Sequence, residues 1–139
     1  MLTKKTFGLI GKNIDYSFSR SYFSKKFKKL QLTNCEYVNF DLKSIEELST
    51  INLNEVYGFN VTIPYKTEII KFLDKIDPEA EKIGAVNTIK INGRELIGFN
   101  TDYTGFLKSL PRRKFKRALI FGTGGASKAI QHALSKINI

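Results

Sequence analysis

The sequence predicts an α/β protein: a three-layer open sheet with helices on both faces, followed by the opening strand, turn and helix of a second, incomplete unit. Three observations predict it. Short runs of β-branched and aromatic residues alternate with stretches of helical periodicity along the 139 residues. Asn92-Gly93 stands between two strand-like runs, Val86–Ile91 and Glu95–Phe99, as a hairpin turn does. Gly122-Thr123-Gly124-Gly125 lies between the apolar run Ala118–Phe121 and a final helical pattern.

The elements follow in order. Thr6–Ile10 is a short buried strand ended by Gly11. A helix starts near Ser19 or Ser21, with Tyr22, Phe23, Phe27 and Leu30 at helical spacing. Tyr37, Val38, Phe40 and Leu42 form a second strand. Ser44 and Glu47 form a capping box for a helix whose apolar stripe is Ile45, Leu48 and Ile51. Val56–Ile63 is a third strand, stopped by Pro64. Helical spacing returns over Tyr65–Leu73, and a short helical turn covers Pro78–Ile83. The Asn-Gly pair then predicts a type I′ turn, in which both central positions take positive φ. Thr101 or Asp102 caps a helix carrying Phe106, Leu107 and Leu110, and Pro111 stops it. A basic crossing leads to a strand at Ala118–Phe121, the glycine turn, and a helix with Ala129, Ile130, Ala133, Leu134 and Ile137 inward. That last strand has no neighbour to complete its hydrogen bonds, so the βα unit is incomplete as a domain.

Composition narrows the function classes. The chain is 42% hydrophobic and 26% charged, which fits neither a disordered nor a membrane protein. The segment Phe7–Ile10 behind Lys4 and Lys5 is too short for a signal peptide, so a cytoplasmic protein is expected. Cys35 and His132 are the only residues of their kinds, which excludes an intrachain disulfide and a Cys/His zinc site. Chemistry must rest on Lys, Asp, Ser, Thr, Asn and Tyr, or on a cofactor. The net charge of +10 favours anionic partners such as nucleic acid, phosphate cofactors or small carboxylates. Its visible clusters, Lys25, Lys26, Lys28 and Lys29 and then Arg112, Arg113, Lys114, Lys116 and Arg117, read most simply as a solvated helix face and a solvated linker.

Five segments could carry chemistry. Gly122, Thr123, Gly124, Gly125, Ala126 and Ser127 sit where backbone N–H groups meet a pyrophosphate in a Rossmann-type unit. A P-loop does not fit, because Ser127 stands where its second glycine belongs and Ala129 where its Ser/Thr belongs. Asn60 and Thr62 share one face of the third strand, and Lys66 follows at the start of the next helix. A cation there opposes the helix dipole by roughly 0.3–1 kcal/mol, so another reason for Lys66 is expected. Ser17 and Ser19 suit a carboxylate but, alone, read as a helix cap. Asp102, alone, reads as an N-cap, and Asn87 is a polar residue at the entry of the hairpin.

Taken together and in order, these segments resemble the shikimate dehydrogenase family. The quoted runs are Ser17-Phe18-Ser19, Asn60-Val61-Thr62-Ile63-Pro64-Tyr65-Lys66, Gly84-Ala85-Val86-Asn87-Thr88, Gly98-Phe99-Asn100-Thr101-Asp102 and Gly122-Thr123-Gly124-Gly125-Ala126. The likeness runs from Phe7 to about Ala133. It implies an NADP-dependent oxidoreductase that reduces 3-dehydroshikimate to shikimate in aromatic amino acid biosynthesis. Lys66 and Asp102 would be the catalytic pair beside the C3 oxygen. Ser17 and Ser19 would bind the substrate carboxylate, and Thr62, Asn87 and Asp102 its ring hydroxyls, with Asn60 and Thr101 shaping the pocket. Gly122 to Ser127 would bind the cofactor's pyrophosphate, and no metal is implied.

The domains implied are residues 1–101 for substrate, 102–116 as linking helix and basic connector, and 117–139 as the start of the NADP unit. Family chains continue with the rest of that unit, an Asn-Arg-Thr region that reads the 2′-phosphate, and a late glutamine that touches substrate. None of these is in the sequence, so little NADP affinity, poor turnover and weak shikimate binding are expected of it. A homodimer is compatible with the resemblance, and neither nucleic acid nor membrane is an implied partner. A quinate/shikimate dehydrogenase using NAD is the alternative enzyme. A basic nucleic-acid-binding module accounts for the charge but not for the ordered motifs.

Overall fold

The sheet is built outward from β1 (Lys5–Gly11), whose Leu9 and Ile10 point to opposite faces and are both buried. A computed structural model describes residues 3–111 and 115–139. β2 (Cys35–Asp41) and β3 (Val56–Val61) flank β1, each parallel to it. β5 (Thr88–Asn92) runs antiparallel to β3 and pairs in a hairpin with β6 (Glu95–Phe99). The short β4 (Lys75–Ile76) closes the edge parallel to β6, giving the order β2-β1-β3-β5-β6-β4.

Two cores cover the two faces. On one, Leu9, Ile14 and Tyr37 pack with Phe7 beneath Phe23 and Phe27 of α1 (Ser19–Lys29). The four lysines of α1 are exposed, which makes the helix the solvated face that its charge pattern predicts. The other face carries the larger core, in which Ile10, Phe59, Val61 and Ile89 meet Ile45, Leu48, Tyr65, Ile69 and Ala80. Ala80 belongs to α2 (Pro78–Ile83), whose ends are fixed chemically. Asp77 Oδ1 accepts from the N–H groups of Glu79 and Ala80, Pro78 fills the first turn, and Gly84 ends the helix at φ 68°. A third cluster, Ile83, Ala85 and Ala129, joins α2 to α4 (Gly125–Ser135), which also packs on α3 (Asp102–Ser109).

Several local expectations are corrected. The Ser44–Glu47 capping box does not form: residues Ile45–Thr50 wind as a 3₁₀ helix without a side-chain cap. Tighter winding moves Glu47 one residue out of register, and its Oε2 accepts from the Lys43 N–H at 3.0 Å. Tyr65–Leu73 is not one helix, since only Glu68–Phe72 is helical, again 3₁₀. The Lys66 carbonyl, which a continuing α-helix would use internally, accepts instead from the Val86 N–H at 2.7 Å. In the hairpin Asn92 is still paired with Glu95, so the two-residue loop is Gly93-Arg94. Gly93 alone has positive φ, as a type II′ turn requires of its first central residue, so the expected type I′ turn is absent. Ala118–Phe121 forms no strand. Among the described residues no strand pairs with it, and Leu119 and Phe121 stand 78% and 90% exposed. Arg112, Arg113 and Lys114 of the basic connector lie outside the described residues, while Lys116 and Arg117 are exposed.

The β3–β5 pairing depends on a bare backbone at Gly58, where a Cβ would lie 2.7 Å from the Ile89 carbonyl oxygen. A backbone oxygen within a sheet ladder cannot step aside. Gly58→Ala is therefore expected to lower the unfolding free energy by about 1–3 kcal/mol, read as a lower midpoint in urea denaturation.

Candidate active site

The polar residues singled out in the sequence gather where β3 ends, β5 begins and β6 ends, at the carboxyl edge of the parallel strands. Open α/β sheets form their crevices there, because the chain changes direction on leaving each strand. After β3, the Val86 N–H bond to the Lys66 carbonyl places the entry of β5 directly beside Lys66. Asn87 comes next, with its N–H on the Phe99 carbonyl at 3.0 Å.

The Asn87 side chain can sit in only one orientation. Its Oδ1 accepts from the Thr101 N–H at 2.8 Å, and a backbone N–H can only donate. Its Nδ2 must then be the donor, and it reaches Asp102 Oδ1 at 2.8 Å and Thr101 Oγ1 at 2.9 Å. The other Asp102 oxygen, Oδ2, accepts from Lys66 Nζ at 2.7 Å. Asn100 steers the carboxylate from behind: Oδ1 accepts from the Asp102 N–H at 3.0 Å and Nδ2 donates to the Ala85 carbonyl at 2.9 Å.

Asp102 is thus not the N-cap that its position suggests. Thr101 holds the cap position of α3 without a side-chain bond, and the Asp102 carboxylate turns to Lys66 and Asn87. The helix-dipole argument for Lys66 also falls, since the following 3₁₀ turn starts only at Glu68. The reason for Lys66 is Asp102. With the side chains 16% and 32% exposed, the pair is half-withdrawn from water but open on one side. Such a pair is weak evidence for stability, because desolvation offsets much of the attraction. An ammonium held this way is suited to stabilise negative charge that appears on a nearby oxygen during a reaction.

The remaining candidates are placed less uniformly. Asn60 is held from below by Tyr37, whose hydroxyl donates to its Oδ1 at 2.9 Å, and Nδ2 reaches towards Thr88 and the Asn87 carbonyl. Burial pushes the Tyr37 phenol above its ordinary pKa, which keeps it a neutral donor. The Thr62 hydroxyl has no hydrogen-bond partner among the described residues, and its methyl lies against Gly11. Ser17 and Ser19 are half-buried in the loop and helix start that follow β1. Ser17 Oγ accepts from the Ser19 N–H at 3.3 Å, and neither bonds to the Lys66–Asp102 group. Asp41 anchors this loop by accepting from the N–H groups of Asn13 and Ile14.

The glycine turn lies against the same site. Gly122 has φ 120°, Gly124 holds the cap position of α4 with no side-chain bond, and Gly125 touches the Lys66 stem. The Ser127 hydroxyl donates back to the Gly124 carbonyl at 2.7 Å. Among the described residues, no group of three or more His, Cys, Asp and Glu could hold a metal ion. No helix among them is long and apolar enough to cross a membrane.

Some contacts within and around the candidate site escape a reading of the sequence. Asn100 lies inside a quoted motif, yet only its two bonds show that it orients Asp102. Thr88 donates to Asn87 Oδ1 at 3.1 Å, which the strand pattern does not announce. His132 on α4 meets Glu79 on α2, Nε2 to Oε2 at 2.7 Å, and Lys82 and Lys136 pair with the same carboxylate. The spacing of Glu79 from Lys82 is visible in the sequence, but the crossing to α4 is not.

The fold and the site place the chain among open-sheet α/β proteins that carry a lysine–aspartate pair at the crevice edge of the sheet, with a glycine turn laid against it. The chain belongs to the family described as the shikimate dehydrogenase substrate binding domain, whose family model matches residues 9–89. It is 44% identical over 140 residues to the shikimate dehydrogenase (NADP(+)) of Clostridium botulinum, covering 96% of this chain and 54% of that protein. The crystal structure of shikimate dehydrogenase 1 from Peptoclostridium difficile is 40% identical, with a TM-score of 0.84, covering 95% of this chain and 52% of that one. The Thermus thermophilus enzyme in complex with NADP(H) and shikimate is 31% identical, with a TM-score of 0.86, covering 97% and 53%. The chain thus spans about half the length of the curated relatives it matches.

The α2–α4 junction carries a pH signature. His132, Lys82 and Lys136 hold the Glu79 carboxyl down from 4.5 to about 2. A depressed carboxyl contributes stability that is whole above the unfolded value and fades as pH falls through the folded one. Glu79→Gln is therefore expected to destabilise the docking of α4 at neutral pH, with the difference from the unchanged protein shrinking between about 4.5 and about 2. Amide exchange of α4 against pH measures it, and a constant difference would refute the assignment.

Proposed function

We propose that this chain is the substrate-binding part of an NADP-dependent shikimate dehydrogenase, which reduces the C3 ketone of 3-dehydroshikimate to the alcohol of shikimate. The observation that carries the reading is the convergence of Lys66, Asp102 and Asn87 beside the glycine turn. The relatives' names and the Thermus thermophilus complex supply the substrate and cofactor. Residues 1–101 would bind substrate, 102–116 link, and 117–139 open the nucleotide unit. The reaction belongs to aromatic amino acid biosynthesis in the cytoplasm.

Reduction of a ketone develops negative charge on its oxygen. Lys66 stabilises that charge, and the Lys66–Asp102 pair delivers the proton that completes the alcohol, a step typically worth ~10²–10⁴-fold in rate. Asn87 keeps the carboxylate aimed, and its Nδ2 would reach a ring hydroxyl by giving up its bond to Thr101 Oγ1. The Thr62 hydroxyl takes another, Asn60 and Thr101 shape the wall, and Ser17 and Ser19 receive the carboxylate. The donor set of the turn suits a diphosphate: a Cβ at Gly122 or Gly124 meets nothing within 4 Å, and no side chain caps α4. Gly122, Thr123, Gly124, Gly125, Ala126 and the Ser127 N–H would hold that part of the cofactor. When bound, the cofactor supplies the hydride. A net charge of +10 favours both anions.

Calorimetric titration of the chain with shikimate is expected to give weak, saturable heat, while quinate gives less. Lys66→Ala and Asp102→Asn should each weaken it by about tenfold or more, the size of a lost charged hydrogen bond. A folded chain that gives no heat would overturn the reading, and equal heat from quinate would turn it to a quinate/shikimate enzyme.

A further inference from the structure

We infer that Gly125 is a positioning residue for Lys66: its missing side chain lets the first turn of α4 close on the lysine stem and hold the ammonium against Asp102. The inference deepens the function proposed above and rests on its reading of Lys66. The glycines of the turn differ in what they need. Gly122 has φ 120°, a backbone conformation that other residues rarely adopt. Gly124 is extended and surrounded by open space. Gly125 is neither. It is the first residue of α4 and has no positive φ, so its backbone would accept alanine, a better helix former.

Space is what forbids the methyl group. A Cβ on Gly125 would lie 2.7 Å from Lys66 Cβ, 3.3 Å from Lys66 Cδ and 3.3 Å from Ala85 Cβ. Neither wall yields readily. Lys66 Cβ rides on a backbone held by the Val86 N–H, and Ala85 is fully buried with its carbonyl on Asn100. Nor can α4 retreat, because Ala129 and Ala133 are fully buried and Glu79 grips His132 and Lys136. Rotation of the Lys66 stem would relieve only the contact at Cδ and leaves Cβ in place, so the strain falls on the Lys66 backbone, whose shift carries Nζ away from Asp102. The turn and the lysine are thus set in one register, and the ammonium is confined before any ligand arrives.

The test starts from the unchanged chain, in which nuclear Overhauser contacts between the Gly125 Hα protons and the Lys66 β and δ protons are expected. The Lys66 ammonium, held by Asp102, should give a protected ¹⁵Nζ cross-peak, assigned by its disappearance in Lys66→Arg. In Gly125→Ala that peak is expected to be lost or displaced and shikimate affinity to fall by about tenfold, while Gly124→Ala leaves the peak in place. Absence of the Overhauser contacts, or an unmoved Lys66 peak in folded Gly125→Ala, would overturn the inference. If shikimate gave no heat with the unchanged chain but Gly125→Ala still displaced the peak, the proposed function would fall and the positioning role would stand.

Discussion

The Asn87 amide is the fixed point on which the rest of the site depends. Lys66 and Asp102 are 36 residues apart, and Asn87 clamps the entry of β5 to the start of α3 so that they can meet. Its oxygen is committed to the Thr101 N–H, which makes its nitrogen the donor to the Asp102 carboxylate and to the Thr101 hydroxyl. One side chain therefore sets the position of α3, the direction of Asp102 and, through Asp102, the place of the ammonium. Asn100 holds the Asp102 backbone N–H from the opposite side, so the carboxylate is aimed by one amide and a cation on an anchored backbone. A group so over-determined is pre-organised.

The sheet makes the clamp reachable. Parallel pairing of β1 with β2 and β3 brings their carboxyl ends to one edge, while the antiparallel β5 begins and β6 ends at that same edge. Thr62, Lys66, Asn87 and Asp102 lie on or just beyond these ends. The buried Leu9 and Ile10 in β1 fix the centre of the sheet on both faces, and a slip of one residue would exchange them. The core thus does more than stabilise. It sets the register on which the polar edge depends.

The terminal unit is held by a different logic. Its extended segment has no strand to pair with, so the packing of α4 ties it to the rest. Close approach there uses small residues, Ala129 and Ala133 within the helix and Gly125 at its head. The Glu79 cluster adds charge at the far end of the same contact. The glycine turn is consequently fixed relative to Lys66 without any neighbouring strand.

The α/β class, five of the six strands and, within the candidate site, Lys66, Asn87 and Asp102 were legible in the residues alone, because each rests on local pattern: two-residue alternation, turn chemistry and ordered motifs. The sixth, β4, is two residues long and has no periodicity to read. Pro78 within the first turn of α2 and the Gly84 stop behaved as local signals should. The capping box and the type I′ turn failed to local winding and turn register, whereas the other failed expectations turned on a distant partner, present or lacking. The Lys66 carbonyl accepts from Val86 instead of extending a helix, Asp102 turns from the cap to the cation, and Ala118–Phe121 stays unpaired among the described residues. Local chemistry along the chain specified which side chains were available and on which elements. Their meeting was settled by the folded arrangement, since a hydrogen bond or an ion pair is set by distance in space and not by separation along the chain.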